Sequence, residues 1–323
     1  MKALPSVTTE PIRIGVSACV LGERVRYDGD HKLDSYVRDT LGHYFDLVPV
    51  CPEVAIGLGV PRPPIKLVGN RAAPRAVGVV DPKLDVTDKL AAYGRRTART
   101  LSDISGYILK SGSPSCGKER VILHATRGRG ARVGRGIYAA ALMKVHPLLP
   151  VTEEMSLGDP ILRDSFLERV FVYRRWQVFT ATVPTVARLA EFHTAHALLL
   201  MAHGTERAGG LDRIVTRATR GNLRLLTRQY AVSLMRTLDQ RATRQRQARA
   251  LRHACRYLED INGTSCKDLR ELIEGYRSGG LPLVTPWTRV RDSARRYPSP
   301  WLDRQVYLNP DPGELALRFT SEK

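Results

Sequence analysis

A chain of 323 residues with 43% hydrophobic and 26% charged side chains can bury two cores of ordinary size, and that balance excludes wholesale disorder. Its 51 Lys and Arg face 32 Asp and Glu, a formal charge of +19. Such an excess favours a polyanionic partner, nucleic acid ahead of a membrane surface, because neither end carries a basic amphipathic anchor.

From the start to about Arg175, short apolar runs alternate with helical stretches. RIGVSAC, DLVPVC, GYILKSG and ERVILHA read as buried strands, being rich in Val, Ile, Leu and Tyr and bounded by Gly, Pro or Ser. His31 to Leu41 and Thr87 to Leu101 have helical spacing. This alternation predicts an α/β domain over residues 1–175, Rossmann-like, with a mostly parallel sheet. Around YRRWQVFTATVPTV the character changes, and Pro184 is placed to open a helix. Helical periodicity then runs to about Arg277, interrupted at GTERAGG, Gly221-Asn222 and Asn262-Gly263. The last segments, LPLVTPW, YPSPW and LNPDPGE, predict an irregular Pro-rich tail packed through Trp287, Trp301 and Tyr307. Residues 176–323 therefore read as an all-α domain. The N-terminal MKALPSVTTEPIR lacks the apolar core of a signal peptide, and the most apolar run, residues 195–202, is too short for a bilayer. The expected location is cytoplasmic.

Five cysteines in a chain of this length, in a reducing compartment, argue against a disulfide framework and for catalysis, metal binding or burial. Cys19, Cys51 and Cys116 each stand at or just beyond the carboxyl end of a predicted strand. In an open α/β sheet those ends face the ligand crevice, so the three thiols are expected to converge. Gly and Pro beside each thiol let backbone amides approach a bound anion. Two other readings compete: three small buried hydrophobes, and a zinc site, although zinc ligands usually come in close pairs such as Cys-x-x-Cys. Cys255 and Cys266 read as packing residues.

The segments VSACVLGERVRYDGDHK, VPVCPEVAIGLGVPRPPIKLV and SGSPSCG, in that order, resemble the thiouracil desulfidase family, domain of unknown function 523, over about Ile12 to Arg175. The resemblance implies a 4Fe-4S cluster held by Cys19, Cys51 and Cys116, with one iron lacking a protein ligand and open to the substrate's sulfur. It implies a catalytic carboxylate at Glu53 and a catalytic serine at Ser113 or, as second choice, Ser115. An open iron is a Lewis acid for a thiocarbonyl, and Glu53 is a candidate acid or base for water attack, so the implied chemistry is non-redox hydrolysis with release of hydrosulfide. The structural alternatives are a helix-start or loop role for Glu53 and turn or capping roles for the serines. Arg26, Tyr27 and Asp28 either line the same pocket or pack beside it.

In the second half, residues 213 to 256 hold twelve Arg, no Lys and one acid, Asp239. Arg213, Arg217, Arg220, Arg224 and Arg228 recur at helical spacing, as do Arg241, Arg244, Arg249, Arg252 and Arg256. A solvated helix face normally mixes signs, so two nearly acid-free cationic ridges suggest RNA phosphate as the ligand. RGRGARVGRG, residues 127–136, adds a basic Gly-spaced loop to that surface. His193, His196 and His203 have spacing that a metal tolerates but no supporting acids, which favours packing or capping. EFHTAHALLLMAHG and YPSPWLDRQVYLNPDPGELALR resemble the YbgA-type domain, domain of unknown function 1722, over about Val186 to Arg318. Fusion of the two domains resembles the RudS-type desulfidases, which implies removal of sulfur from 4-thiouridine in tRNA and an RNA-binding second domain. The expected partner is tRNA or a thiolated uracil derivative, with no membrane. Two rivals remain: a desulfidase of free thiouracil bases, and a non-catalytic RNA-binding protein with a structural metal.

Overall fold

The computed structural model describes residues 11–125, 130–263 and 266–319. The chain forms two compact units that part between Phe166 and Leu167.

The first unit opens with β1 (Ile12–Ser17) and a 3-10 turn over Ala18–Leu21. A π-turn over Tyr36–Leu41 runs into the single turn α1 (Gly42–Tyr44) and then β2 (Phe45–Val50) and α2 (Pro52–Ala55). The hairpin β3 (Ile65–Gly69) and β4 (Pro74–Gly78) precedes α3 (Thr87–Thr100) and β5 (Gly106–Leu109). β6 (Val121–His124), β7 (Ala131–Gly134), α4 (Ile137–Val145) and β8 (Val151–Glu153) complete it.

The main sheet has the order β2-β1-β5-β8 and is parallel throughout, as the alternating pattern predicts. β1 and β5 are the inner strands and are buried almost continuously, which is why their sequences show apolar runs and not alternation. Pro49 is tolerated in β2 because that strand is an edge and needs no donor on its free side. Gly15 leaves room that Tyr107 fills: a Cβ there would stand 2.4 Å from the Tyr107 ring.

ERVILHA does form a strand, β6, but in a separate mixed sheet of order β4-β3-β6-β7. Its alternating burial, Val121 and Leu123 inward against Ile122 and His124 outward, is that of a half-exposed strand. Leu67, Val86, Leu90 and Ile137 close the core beneath that sheet. Of RGRGARVGRG, residues 127–129 lie outside the described residues, and Ala131–Gly134 is β7, where a loop was expected.

The helix α5 (Pro160–Ala181) carries the chain past Phe166. The second unit continues through α6 (Val186–Ala195), α7 (Ala197–His203), α8 (Thr205–Thr216), α9 (Leu223–Leu238), α10 (Arg244–Asn262) and α11 (Lys267–Ser278). The Thr185 hydroxyl accepts from Arg188 N and caps α6, just after Pro184. The tail departs from the expectation of irregular structure, for it forms α12 (Val284–Arg296) and α13 (Pro312–Phe319). Pro286 and Pro312 lie in the first turns of these helices, where the missing N–H costs nothing. No helix among the described residues is long and apolar enough to cross a membrane.

Candidate functional site

The carboxyl ends of β2, β1 and β5, three adjacent parallel strands, deliver the three cysteines of the first half. Cys19 sits in the turn after β1, Cys51 directly follows β2 as the residue before α2, and Cys116 closes the loop after β5. All three line one cavity of about 300 Å³, together with Glu53, Ser113 and Lys110. The strand order reverses direction between β1 and β5, so the cavity lies at the switch point of the sheet.

Glu53 occupies the first turn of α2 and is held from two sides. Its Oε1 accepts from Ser115 Oγ at 2.8 Å, and its Oε2 accepts from Arg62 Nε at 2.9 Å. Arg62 is itself buried, donating also to the Gly59 carbonyl at 2.7 Å and to the Val25 carbonyl at 3.0 Å. Ser113 plays a different part. Its Oγ accepts from the Ser115 and Cys116 amides at 3.2 and 3.1 Å, which shapes the turn that presents Cys116. Ser113 faces the cavity, whereas Ser115 is fully buried behind it.

Behind the loop, two consecutive glutamates at the end of β8 grip its two ends. Glu154 accepts from Lys110 Nζ at 2.6 Å and from the Ser111 amide and hydroxyl at 2.7 and 2.8 Å. Glu153 accepts from the Lys118 amide at 2.8 Å. The first turn of α4 closes the other side: Ile137 N and Ala139 N donate to the carbonyls of Pro114 and Ser115. Thus the cysteine loop also satisfies amides that a helix start leaves open.

Electrostatics resist ionisation of the bare thiols. Burial, followed by the neighbouring Cys51 thiol, pushes Cys19 up to about 11. Burial raises Cys51, and burial with the nearby Glu53 carboxylate raises Cys116 far above the ordinary thiol value. A thiolate in this cavity therefore calls for positive charge beside it. Arg26 lines the cavity mouth, pairs with Asp28 at 3.0 Å and lies over the Tyr27 ring at 5.3 Å.

Arg62, Lys110, Ser111, Glu153 and Glu154 went unnoticed in the sequence. None stands in a spacing that marks a ligand or an acid-base pair, and their partners are 9 to 44 residues away.

The first arginine series of the second unit is split between elements, while most of the second shares one helix. Arg213 lies in the last turn of α8, Arg217 and Arg220 in the following turn, and Arg224 and Arg228 on α9. Asn222 breaks the first series by bonding the Arg217 carbonyl and the Thr219 amide. Arg241 precedes α10, while Arg244, Arg249, Arg252 and Arg256 lie on it. Arg244 donates to the carbonyls of Tyr276 and Leu281 and lies 4.9 Å over the Tyr276 ring. The histidines have separate partners: His193 bonds Tyr230 and Asp212, His196 the Phe192 carbonyl, His203 Glu168 and the Gln240 carbonyl. Cys255 and Cys266 are buried against each other.

Sequence comparison agrees with this division. A family model described as 2-thiouracil desulfurase matches residues 14–154, and one described as a protein of unknown function (DUF1722) matches residues 198–312. YbbK of Bacillus subtilis (strain 168) is 32% identical over 136 residues, 39% of this chain and 87% of that protein. YbgA of Escherichia coli (strain K12) is 27% identical over 159 residues, 49% of this chain and 94% of that protein. Among solved structures, the [4Fe-4S]-dependent thiouracil desulfidase TudS is 35% identical, with 46% of this chain and 93% of that one covered and a TM-score of 0.38. The three cysteine motifs thus lie inside a matched region, and through it the chain belongs to the 2-thiouracil desulfurase family.

Proposed function

We propose that this protein is an iron-sulfur-dependent desulfidase that removes sulfur from 4-thiouridine in tRNA and releases it as sulfide. The observation that carries the reading is the convergence of Cys19, Cys51 and Cys116 on one cavity beside a carboxylate held by Ser115 and Arg62. Three soft thiolate donors suit iron, and burial, which raises all three thiols, makes added positive charge in the cavity favourable to their ionised form. Among the described residues no three His, Cys, Asp or Glu side chains close around one point as ligands of a single ion. When bound, a 4Fe-4S cluster with one iron free of protein ligand supplies a Lewis-acid position for the substrate's sulfur.

The chain's own residues do the remaining work. Each Glu53 oxygen keeps a lone pair beyond its bond to Ser115 or Arg62, so the carboxylate can accept a proton from an attacking water. The water oxygen bonds the ring carbon, the carbon–sulfur bond breaks, and sulfur departs as hydrosulfide with its bonding electrons. No net oxidation or reduction occurs. Ser113 faces the cavity as a candidate contact for the pyrimidine edge, while Ser115 positions Glu53 from behind.

The tRNA part of the reading rests on the arginine-rich second unit, where Arg213, Arg217, Arg220, Arg224, Arg241, Arg249 and Arg252 supply phosphate contacts. The test is anaerobic purification with iron and sulfide counted per chain, followed by sulfide release from thiolated tRNA and from free 2-thiouracil at two salt concentrations. Several irons and sulfides per chain, and a tRNA rate that falls with salt while the free-base rate does not, are expected. A chain that retains no iron, or releases sulfide from neither substrate, refutes the enzyme reading. Turnover on the free base alone would replace tRNA as the substrate.

A further inference from the structure

In the second unit, α10 and α11 bound a groove of about 500 Å³ lined by Arg249, Arg252, Arg256, Arg270, Arg277 and Glu274. Two carboxylates touch three of these five guanidinium groups. Glu274 pairs with both Arg252 and Arg277, and Glu259 pairs with Arg270. Arg249 reaches the neutral hydroxyl of Thr205 at 3.1 Å, and Arg256 makes no ion pair among the described residues. Five positive charges against two negative ones leave the concavity with a surplus of three. Unopposed like charges at helical spacing repel, so an entering anion relieves strain that solvent only screens.

The layout also sets the kind of anion. From Arg249 to Arg256 is seven residues, about 10 Å along α10 at 1.5 Å per residue. One phosphate is satisfied by one or two forked guanidinium contacts. Five arginines spread over about 10 Å exceed that need and match successive phosphates of one strand, which rise about 3.4 Å each along a helical axis. Arg270 and Arg277 belong to α11 and stand outside the arginine run between residues 213 and 256, so the groove is not a feature of that run alone.

We infer that this groove binds the phosphodiester backbone of an RNA strand, and that Glu274 is an internal counter-ion which the strand displaces from Arg252 and Arg277. The inference rests on the RNA part of the proposed function. Glu274 holds donors that a phosphate oxygen would take, so it competes with the ligand in the free protein. It thereby favours a chain of phosphates, able to bind the remaining arginines at once, over a single phosphate.

The experiment is fluorescence anisotropy of a labelled single-stranded oligoribonucleotide titrated with the full chain across a salt series. For the parent, affinity should fall steeply with salt. Joint replacement Arg256→Gln and Arg270→Gln should weaken binding and flatten the log-log slope by about 1.4, at about 0.7 per lost single-strand phosphate contact. Glu274→Gln should tighten binding about 2- to 5-fold, the worth of an exposed ion pair that no longer competes. A gain of affinity is a result that misfolding does not produce. If Glu274→Gln leaves affinity unchanged or lowers it, or the double variant keeps the parent slope, the groove is not the site, although RNA binding by the parent would still support the RNA reading. A parent that does not bind the oligoribonucleotide even at low salt overturns both.

Discussion

Glu53 illustrates how a single side chain combines orientation with chemistry. Its two oxygens face different donors, Ser115 on one side and Arg62 on the other. In Glu53→Gln the amide oxygen can keep the Arg62 contact while the amide nitrogen donates to the Ser115 hydroxyl, so shape and packing persist and the proton acceptor is gone. Turnover should fall about 10²- to 10⁴-fold, with iron per chain unchanged; a rate near the parent's would reduce Glu53 to a structural role. The cysteines give the complementary pattern. Cys19→Ala, Cys51→Ala or Cys116→Ala should each abolish iron retention, whereas Cys255→Ala and Cys266→Ala, buried elsewhere against each other, should retain it. Iron analysis of the five variants decides the ligand set, and a requirement for Cys255 or Cys266 would overturn it. At this scale the motifs pointed to the three thiols and Glu53, and the structure brings all four to one cavity. Arg62 was illegible, since it meets Glu53 only through the path of the chain between them. Nor could sequence separate the parts the two serines play: both stand in the same turn, and only backbone geometry sends Ser115 to Glu53 and Ser113 to the amides of Ser115 and Cys116.

At the level of elements, the cysteine loop is built by its neighbours. Glu153 at the end of β8 and Glu154 just after it bracket the loop, and α4 bonds its first-turn amides to the carbonyls of Pro114 and Ser115. That close approach requires Gly136, where a Cβ would stand 2.4 Å from the Ser115 carbonyl oxygen and 2.8 Å from the Cys116 nitrogen. These are backbone atoms, so Gly136→Ala must displace either the helix or the loop. An overpacking cost of about 1–3 kcal/mol is expected, with a lower melting temperature and less iron bound per chain. Gly158→Ala, where a Cβ meets nothing within 4 Å, is the control. If Gly136→Ala binds iron as the parent does, α4 is not a support of the loop. The strands that carry Cys19, Cys51 and Cys116 were readable because buried parallel strands are continuous apolar runs. β8 has only three residues, and β3, β4 and β7 of the second sheet have four or five each, too short to show a period. The helices α12 and α13 were hidden by prolines, which mark loops and helix starts alike.

For the whole molecule, the α/β and all-α halves were evident from periodicity, but the charged network inside the helical unit was not, because it joins residues from distant helices. Glu168 and Arg175 on α5, His203 on α7, and Glu314 and Arg318 on α13 are assembled in one place. His203 bonds Glu168, Arg318 pairs with Glu168 at 3.1 Å, and Arg175 pairs with Glu314 at 2.5 Å. Burial alone would lower the His203 pKa, yet the Glu168 carboxylate outweighs it, and the net shift is upward from the ordinary 6.5. Both ring nitrogens face acceptors, Glu168 and the Gln240 carbonyl, so the imidazolium is the form that satisfies the site. Nearby His196 is held down to about 3, first by burial and then by Arg175, and stays neutral through the same range. Because the folded pKa of His203 exceeds the unfolded value, its stabilisation is complete below about 6.5 and disappears as pH rises through the raised folded value. His203→Gln keeps a donor for Glu168 but carries no charge. The variant should be destabilised by about 3 kcal/mol at pH 5.5, the scale of breaking a buried pair. The gap to the parent should narrow as pH climbs past the folded pKa. Thermal unfolding of both proteins, followed by the helical circular dichroism signal from pH 5.5 to 9, isolates the effect, since titrations common to both cancel in the difference. A gap that stays constant with pH would show that His203 serves the fold as a neutral ring, and that the arginines alone hold the carboxylates of α5 and α13.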